Sequence, residues 1–399
     1  MISKKKAIAI GLVLVLLTAA TTFALDNMVQ LTIGSKVIIP KNQLDNESKV
    51  AYLEQYIKQN YLNEVTEEEM LDGQLKGLFD SLDDPYSVYM TKSEFDDFMD
   101  QTEGSYGGIG VIVTPGDDNF ITVVSPIEDT PGEKAGIKPG DKIIKVNDKE
   151  FFAKNMDEAV DVMKGEPGTD VSLTILRELE GKEPEEITVT LTRKQIRLIS
   201  VKSQMIEGNI GYIRIIQFDE LVYDDFKKHL SELQDKGMES LVIDLRNNPG
   251  GLLDKTAKIA DLLIGESDIV YTETKNGERD YYKSDEDKLG LPLVVLVNEG
   301  SASASEILSG AIKDTNTGTI VGTTTFGKGI VQRIQQLNDG SGFKITVSEY
   351  FTPSGTNIHG TGIKPDVEIE LPEDVQGGID NIDKDIQLQK AIEILKEKM

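Results

Sequence analysis

The residues best placed to do chemistry lie in Val297–Ser309, which reads VNEGSASASEILS. An apolar strand ending at Val297, a Gly/Ser turn and a helix with Ile307, Leu308, Ala311 and Ile312 on one side are expected here. Such a layout sets a small nucleophile at the end of a rigid strand. It also aims the free N–H groups and partial positive charge of a helix N-terminus at the same point, as an oxyanion requires. The spacing Ser303-x-x-Glu306 is equally that of a capping box, which accounts for both residues without chemistry.

Lys328 favours chemistry. It sits in Gly322–Gly329, GTTTFGKG, after the strand expected at Thr319–Val321. A hydroxyl nucleophile needs a base, and a neutral lysine can serve. At the ordinary lysine pKa only about 0.04% is neutral at pH 7, so a pocket must lower it by roughly 2–3 units, about 3–4 kcal/mol. Burial near Phe326 and the strand residues is the expected cause. The same segment mimics a phosphate-binding loop, Gly322-x4-Gly327-Lys328. However, Gly329 stands where that loop needs Ser or Thr, and an extended run, Ile330–Ile334, follows where it needs a helix. A third segment, Leu241–Gly251 (LVIDLRNNPGG), ends in a Gly-Gly turn whose amides could supply a second oxyanion donor.

Composition narrows the chemistry further. The 399 residues contain no Cys, which excludes disulfides, thiolate catalysis and Cys-based zinc sites. Only two His are present, His229 and His359, so His-rich metal sites are excluded, and neither a metal nor a cofactor is expected. With 42 Lys plus Arg against 69 Asp plus Glu, the net charge of −27 argues against nucleic acid as a partner. The length suggests two to three domains.

The elements that must position these residues follow from periodicity. Residues 47–100 read as helices, one of them started by Thr66 and Glu67–Glu69; Asp83-Asp84-Pro85 breaks the pattern and Thr91–Met99 resumes it. From Gly104 to about Arg197 the pattern is Gly-rich turns and short strands (Gly110–Val113, Phe120–Val124, Asp141–Val146, Val171–Arg177, Ile187–Thr192) around one helix, Met156–Met163. Beyond Ile210, strands at Ile210–Ile216, Leu241–Leu245, Leu293–Val297 and Thr319–Val321 alternate with helices at Tyr223–Leu233, Leu252–Leu263 and Ala304–Ile312. That alternation implies an α/β core with a mostly parallel sheet. A strand, Phe343–Phe351, and an amphipathic helix, Ile386–Leu395, close the chain. The expected organisation is 1–25 leader, 26–103 helical region, 104–197 β-rich module, 198–370 α/β core and 371–399 tail. In the leader, Lys4–Lys6 precede nineteen uncharged residues, Ala7–Leu25, which read as a signal peptide or a membrane anchor placing the rest outside the membrane. The Lys-rich, Cys-free composition suits a bacterial exported protein.

The β-rich module resembles a PDZ domain. Pro131–Asp148 reads PGEKAGIKPGDKIIKVND, with Gly107-Gly108-Ile109-Gly110-Val111 upstream. The resemblance implies capture of a peptide C-terminus as an added strand. Gly108, Ile109, Gly110 and Val111 would form the carboxylate loop, and Val160 and Met163 on the groove helix would receive the last side chain.

Residues from about 50 to 370 resemble the carboxyl-terminal processing proteases, or tail-specific serine proteases. The resemblance is carried by Ser-Ala-Ser-Ala-Ser-Glu-Ile at 301–307, Thr-Phe-Gly-Lys-Gly with Val331-Gln332, Asp244-Leu245-Arg246 with Asn248-Pro249-Gly250-Gly251, and Tyr350-Phe351-Thr352-Pro353-Ser354-Gly355. It implies a crotonase- or Clp-protease-like core with an inserted PDZ domain. It further implies Ser303 as nucleophile, Lys328 as base, Gln332 orienting Lys328, and Ala304 and Gly251 N–H groups as the oxyanion hole. The implied substrates are polypeptides with free C-termini, and the N- and C-terminal helices are candidate surfaces for self-association. Leu82-Asp83-Asp84-Pro85 has an acid more than the family pattern, Asn357 stands where a basic residue is common, and Lys164 ends the groove helix where some members carry Arg. Two other readings remain open: a catalytically silent envelope scaffold displaying a PDZ domain, and a Ser-His hydrolase using His229 or His359.

Overall fold

A computed structural model of the chain describes residues 46–178, 183–372 and 374–399. The leader lies outside the described residues. Among those described, no helix is long and apolar enough to cross a membrane. The chain divides into two compact units, up to Gln74 and from Leu75 onward.

The first unit holds helix α1 (Asn46–Asn60) and the start of α2 (Glu67–Asp80). Thr66 caps α2 as expected: its hydroxyl accepts from Glu69 N–H at 3.1 Å, and the Glu69 carboxylate accepts from Thr66 N–H at 2.7 Å. After α2 the chain turns at Asp83-Asp84-Pro85 and a helix resumes as α3 (Lys92–Glu103), as expected; the short strand between them, β1 (Val88–Met90), was not expected.

The β-rich module follows its expected runs closely. Strands β2 (Ser105–Gly108), β3 (Val111–Pro115) and β4 (Ile121–Pro126) precede a helical turn, α4 (Pro131–Lys134). Next come β5 (Lys142–Val146), β6 (Lys149–Glu150), helix α5 (Met156–Met163), β7 (Asp170–Arg177), β8 (Glu185–Thr192) and β9 (Lys194–Arg197). The sheet order is β3-β4-β5-β7-β8, with β6 on β5 and β2 paired separately to β9. Strand β3 is therefore an edge, available for strand addition. Its core is Ile109, Ile121, Val123, Ile143, Phe151, Leu173 and neighbours, which α5 closes with Ala159 and Met163.

The remaining chain builds two sheets. One contains β10 (Val201–Ile206), β11 (Ile210–Ile215), β12 (Ser240–Asp244), β15 (Leu293–Val297), β16 (Thr319–Gly322) and β19 (Val367–Glu368), in that order. Its pairings are parallel except β10–β11. Its strands are solidly apolar because both faces are covered. Leu241, Ile243, Leu293 and Val295 pack with helices α6 (Val222–Asp235), α7 (Leu253–Leu263) and α8 (Ala304–Asp314). Val242, Val294 and Leu296 pack with the tail helix α9 (Ile386–Lys398). The apolar side of α9 is thus occupied by the chain's own core, which corrects its reading as a self-association surface.

The other sheet was not expected. It is antiparallel, β1-β18-β13-β14 with β17 on β18. Its strands are β13 (Ser267–Thr274), β14 (Arg279–Ser284), β17 (Ile330–Gln336) and β18 (Gly342–Phe351). A mostly parallel sheet therefore describes one of the two sheets of the α/β core.

Candidate active site

Ser303 stands at the N-cap of α8 with φ +53° and ψ −110°. A left-handed φ is costly for a residue with a Cβ, on the order of 1–3 kcal/mol, and survives only where surrounding contacts fix it. Here they do. The Ser303 N–H donates to Glu306 Oε2 at 2.8 Å. Its carbonyl accepts from Glu306 N–H at 2.8 Å, Ile307 N–H at 2.9 Å and the Tyr350 hydroxyl at 3.1 Å. Burial and the charge of Glu306 push the Tyr350 phenol well above its ordinary pKa, so it stays a donor.

The other two serines of the run have structural partners. Ser301 Oγ donates to the Leu245 carbonyl at 2.8 Å and accepts from Asn298 N–H at 2.9 Å. Ser305 Oγ donates to the Asn248 carbonyl at 3.0 Å. Ser303 is the one that lines the cleft, together with Lys328, Gln332, Gly251 and Tyr350. The cleft measures about 360 Å³ and is otherwise walled by Phe98, Phe218, Ile307, Ile330 and Ile334 among others.

Glu306 ties the two halves of the site together. It is fully buried. Beyond the Ser303 N–H it accepts from Thr325 Oγ1 at 2.6 Å, Gly327 N–H at 2.7 Å and Lys328 N–H at 2.8 Å. Only the Glu306 half of the expected capping box forms, since the Glu306 N–H goes to the Ser303 carbonyl and the Ser303 hydroxyl does not cap; the carboxylate does more than cap, fixing both the Ser303 backbone and the loop that carries Lys328. Gly327 (φ +90°) and Gly329 let that loop lie against residues 359–362, where a Cβ on Gly329 would come within 2.6 Å of His359 N. Strand β17 follows the loop, as the departure from a phosphate-binding loop required.

Burial in the cleft first, and the like charge of Lys344 second, push the Lys328 amine down to about 8, against the upward pull of Asp84 and Glu306. Roughly a tenth is then neutral at pH 7. The expected agent of burial is corrected: Phe326 is 55% exposed. The Lys328 ammonium lies over the Tyr86 ring instead, 4.7 Å from its centroid. Tyr86 belongs to the Asp83-Asp84-Pro85 turn, and Asp84 accepts from Tyr86 N–H (3.0 Å), Ser87 Oγ (2.6 Å) and Thr346 Oγ1 (2.7 Å). Burial alone would raise the Asp84 carboxyl, but these bonds and the charge of Lys328 hold it below the usual range. Gln332 lines the cleft and donates from Nε2 to Thr346 Oγ1 at 3.4 Å, the hydroxyl that also donates to Asp84.

The turn Asn248–Gly251 meets the Ser303 turn closely. A Cβ on Gly250 would stand 2.7 Å from the Ala302 carbonyl oxygen and 2.9 Å from Ser303 Cβ. Gly250 N–H is committed to Asn248 Oδ1 at 2.8 Å, and Leu252 N–H to the Phe218 carbonyl at 2.7 Å. Among the described residues no acceptor is seen for the Gly251 N–H between them, nor for Ala304 N–H, the first amide of α8. These are the two amides expected to form an oxyanion hole.

The histidines stand apart. His229 Nδ1 shares a hydrogen bond with Ser203 Oγ at 2.7 Å, and His359 is exposed, outside the cleft lining. In the β-rich module, Gly110 (φ +70°) packs on Thr130, and the Ile109 and Gly110 carbonyls accept from Gly132 N–H (2.8 Å) and Ile127 N–H (2.9 Å). Gly108 ends β2 and Val111 opens the edge strand β3. Val160 is half-buried against the module's core, but Met163 is only 5% exposed and belongs to that core, which corrects its assignment to the groove. The sequence reading missed Tyr350, Lys344 and Asp84 as parts of the site, and saw Glu306 only as a cap.

A strained serine at a helix N-terminus, a half-buried lysine and the free Gly251 amide in one cleft, with the Ala304 amide next to the serine in the chain and a PDZ-like edge strand, define a class of hydrolase. The chain belongs to peptidase family S41. Its residues 209–369 match the description of Peptidase family S41, 122–177 match a PDZ domain, and 16–94 match the Activating protease CtpB N-terminal domain. Within that family its relatives include carboxy-terminal processing proteases. CtpA of Bacillus subtilis is 38% identical over 365 residues, covering 90% of this chain and 77% of that protein. CtpB of the same organism is 35% identical over 370 residues, covering 90% and 76%. A solved putative S41 protease from Bacteroides fragilis shares the fold, with a TM-score of 0.50 at 17% identity, over 91% of this chain and all of that one.

Proposed function

We propose that the protein is an exported serine endopeptidase that takes polypeptides by their C-termini through its PDZ domain and cleaves them with Ser303 and Lys328. The observation that carries this reading is the meeting, in one cleft, of the strained Ser303 with a lysine whose amine titrates at about 8. The Ser303 hydroxyl attacks the scissile carbonyl carbon while the neutral Lys328 amine takes its proton. The carbonyl oxygen becomes an oxyanion held by the Gly251 and Ala304 N–H groups. Collapse breaks the C–N bond, and Lys328 returns the proton to the leaving amine. Water then attacks the ester, Lys328 takes a proton from it, and Ser303 is released with a carboxylic acid product. Gln332, which lines the same cleft and bonds Thr346, is read as the residue that orients Lys328. The basic, apolar leader supports export, with the segment either removed or kept as an anchor.

Ser303→Ala and Lys328→Ala should each lower cleavage of a peptide with a free apolar C-terminus by a factor on the order of 10²–10⁴. Since Lys328 must be neutral to act, the wild-type rate should climb as pH passes through about 8. Turnover by either variant at the wild-type rate, or a rate that falls from pH 6 to 9 with the fold intact, would remove the assignment.

A further inference from the structure

Two lysines share the cleft, and the reaction uses only one. Lys344 lies on β18 opposite Ile334 of β17 and Val88 of β1. It is two residues from Thr346, so both side chains leave the same face of the strand. Thr346 holds Gln332 and Asp84 on that face. The direction of Lys344 into the cleft is therefore set by the sheet, and its ammonium rests 5.4 Å from the Phe98 ring centroid.

In a chain of net charge −27, neither cleft ammonium lies within ion-pair distance of a carboxylate among the described residues. The acids around the cleft have other partners. Asp97 and Asp100 of α3 pair with Lys164, Glu94 with Lys76, and Asp219 is tied to Ser200, Gln217 and Leu221 N–H. Glu306 holds four donors behind Ser303, and Asp84 three beside Tyr86. Tyr350 contributes a neutral donor.

We propose that Lys344 is a positioning residue for the base: its unpaired ammonium, set into the cleft by β18, repels charge on Lys328 and keeps Lys328 available as a neutral amine. A second cation is a recognised way to activate a lysine. The fields oppose one another at Lys328, where Asp84 and Glu306 favour the ammonium while burial and Lys344 favour the amine. Burial lowers the Lys344 amine as well, so the two groups share a low-dielectric space in which a like charge is felt. Acting through Lys328, Lys344 needs no contact with substrate.

This inference rests on Lys328 being the base, and the test separates the two. The pH dependence of kcat/KM is measured for the full chain, for Lys344→Met and for Lys344→Arg, with thermal unfolding as the fold control and Lys344→Gln replacing the Met variant where that fails to fold. Without the cation, Lys328 holds its proton to higher pH. Lys344→Met should therefore move the rising limb up by about half a unit or more, lowering the rate at pH 7 roughly threefold while the high-pH plateau stays. Lys344→Arg keeps the charge and should keep the wild-type limb. An unshifted limb in Lys344→Met, an equal shift in Lys344→Arg, or a raised KM with the limb unmoved would each overturn the proposal. A fully active Lys328→Ala would instead show that the base is misassigned.

Discussion

At the scale of single residues, Glu306 decides whether the site exists. Its two oxygens take four donors from segments some twenty residues apart, so a change that preserves shape but not acceptor capacity is the sharpest probe. Glu306→Gln puts an NH₂ where two N–H groups point. Each buried donor left unmet costs about 1–3 kcal/mol. The variant should lose about 3 kcal/mol of stability and at least tenfold in kcat, with a smaller effect on KM, because the Ser303 and Lys328 backbones lose their common anchor. Steady-state kinetics with urea unfolding would check this, and unchanged values of both would show that Glu306 only caps the helix. Sequence could show Ser303 and Lys328 because their residue types are demanding. It showed only half of Glu306, since a capping box is a local pattern whereas the partners Thr325, Gly327 and Lys328 arrive by tertiary folding.

At the scale of elements, the turn Asn248–Gly251 depends on the tail. Strand β12 ends at Asp244, and Arg246 just beyond it is buried with Asp244, Asp385 and Gln387 around its guanidinium. Asp385 also accepts from Leu388 N–H at 2.9 Å, starting α9, and from Gly378 N–H at 2.7 Å. The helix covering the second face of the sheet is thereby bolted two residues from Asn248. Burial would raise the Asp385 carboxyl, but Arg246 and the two amides outweigh it and hold it below the usual range. A depressed carboxyl contributes stability above its unfolded pKa, near 4, and loses it as pH falls through the folded value. Asp385→Asn leaves Arg246 partly uncompensated and should cost about 3–5 kcal/mol at pH 7. It should also flatten the loss of stability below about pH 4. Urea unfolding from pH 7 down to 3 reads both effects, and a variant as stable as wild type at pH 7 would refute the bolt. The helices and parallel strands were legible because their periods are clean. Strands β13 and β14 were not, since DIVYTET and RDYYKS mix polar and apolar residues on a half-exposed sheet. The turn between them did carry a signal: Asn276-Gly277, with Gly277 at φ +81°, is a strong hairpin dipeptide.

At the scale of the whole molecule, α3 touches both the cleft and the PDZ-like module, so it is the element through which the proposed peptide-binding edge could act on the cleft. One side of α3 meets the groove helix α5: Ser93 Oγ donates to Asp161 at 2.9 Å, and Lys164, at the end of α5, pairs with Asp97 and with Asp100 at 2.8 Å. The other side gives Phe98, Gln101 and Thr102 to the cleft, where Phe98 supports Lys344. A charge-assisted clamp on one face of a helix thus bears on the walls of the site from the other. The net charge of −27 spoke only against anionic partners; it could not show that the few lysines near the site would be the ones that matter. The Lys-for-Arg departure at position 164 was visible in sequence, but its partners were not, because they lie more than sixty residues upstream. Lys164→Met removes both ion pairs without touching the cleft. Its effect should fall on the preference for a free chain end, measured as the ratio of kcat/KM for a peptide acid to that for the same peptide amidated at its C-terminus. A severalfold drop in that ratio is expected, with acylation of Ser303 by a small active-site probe unchanged. If the ratio held while Lys164→Met folded normally, the two sites would communicate by some route other than this helix. If probe acylation fell in step with it, the clamp would be supporting the cleft itself rather than relaying occupancy of the PDZ edge.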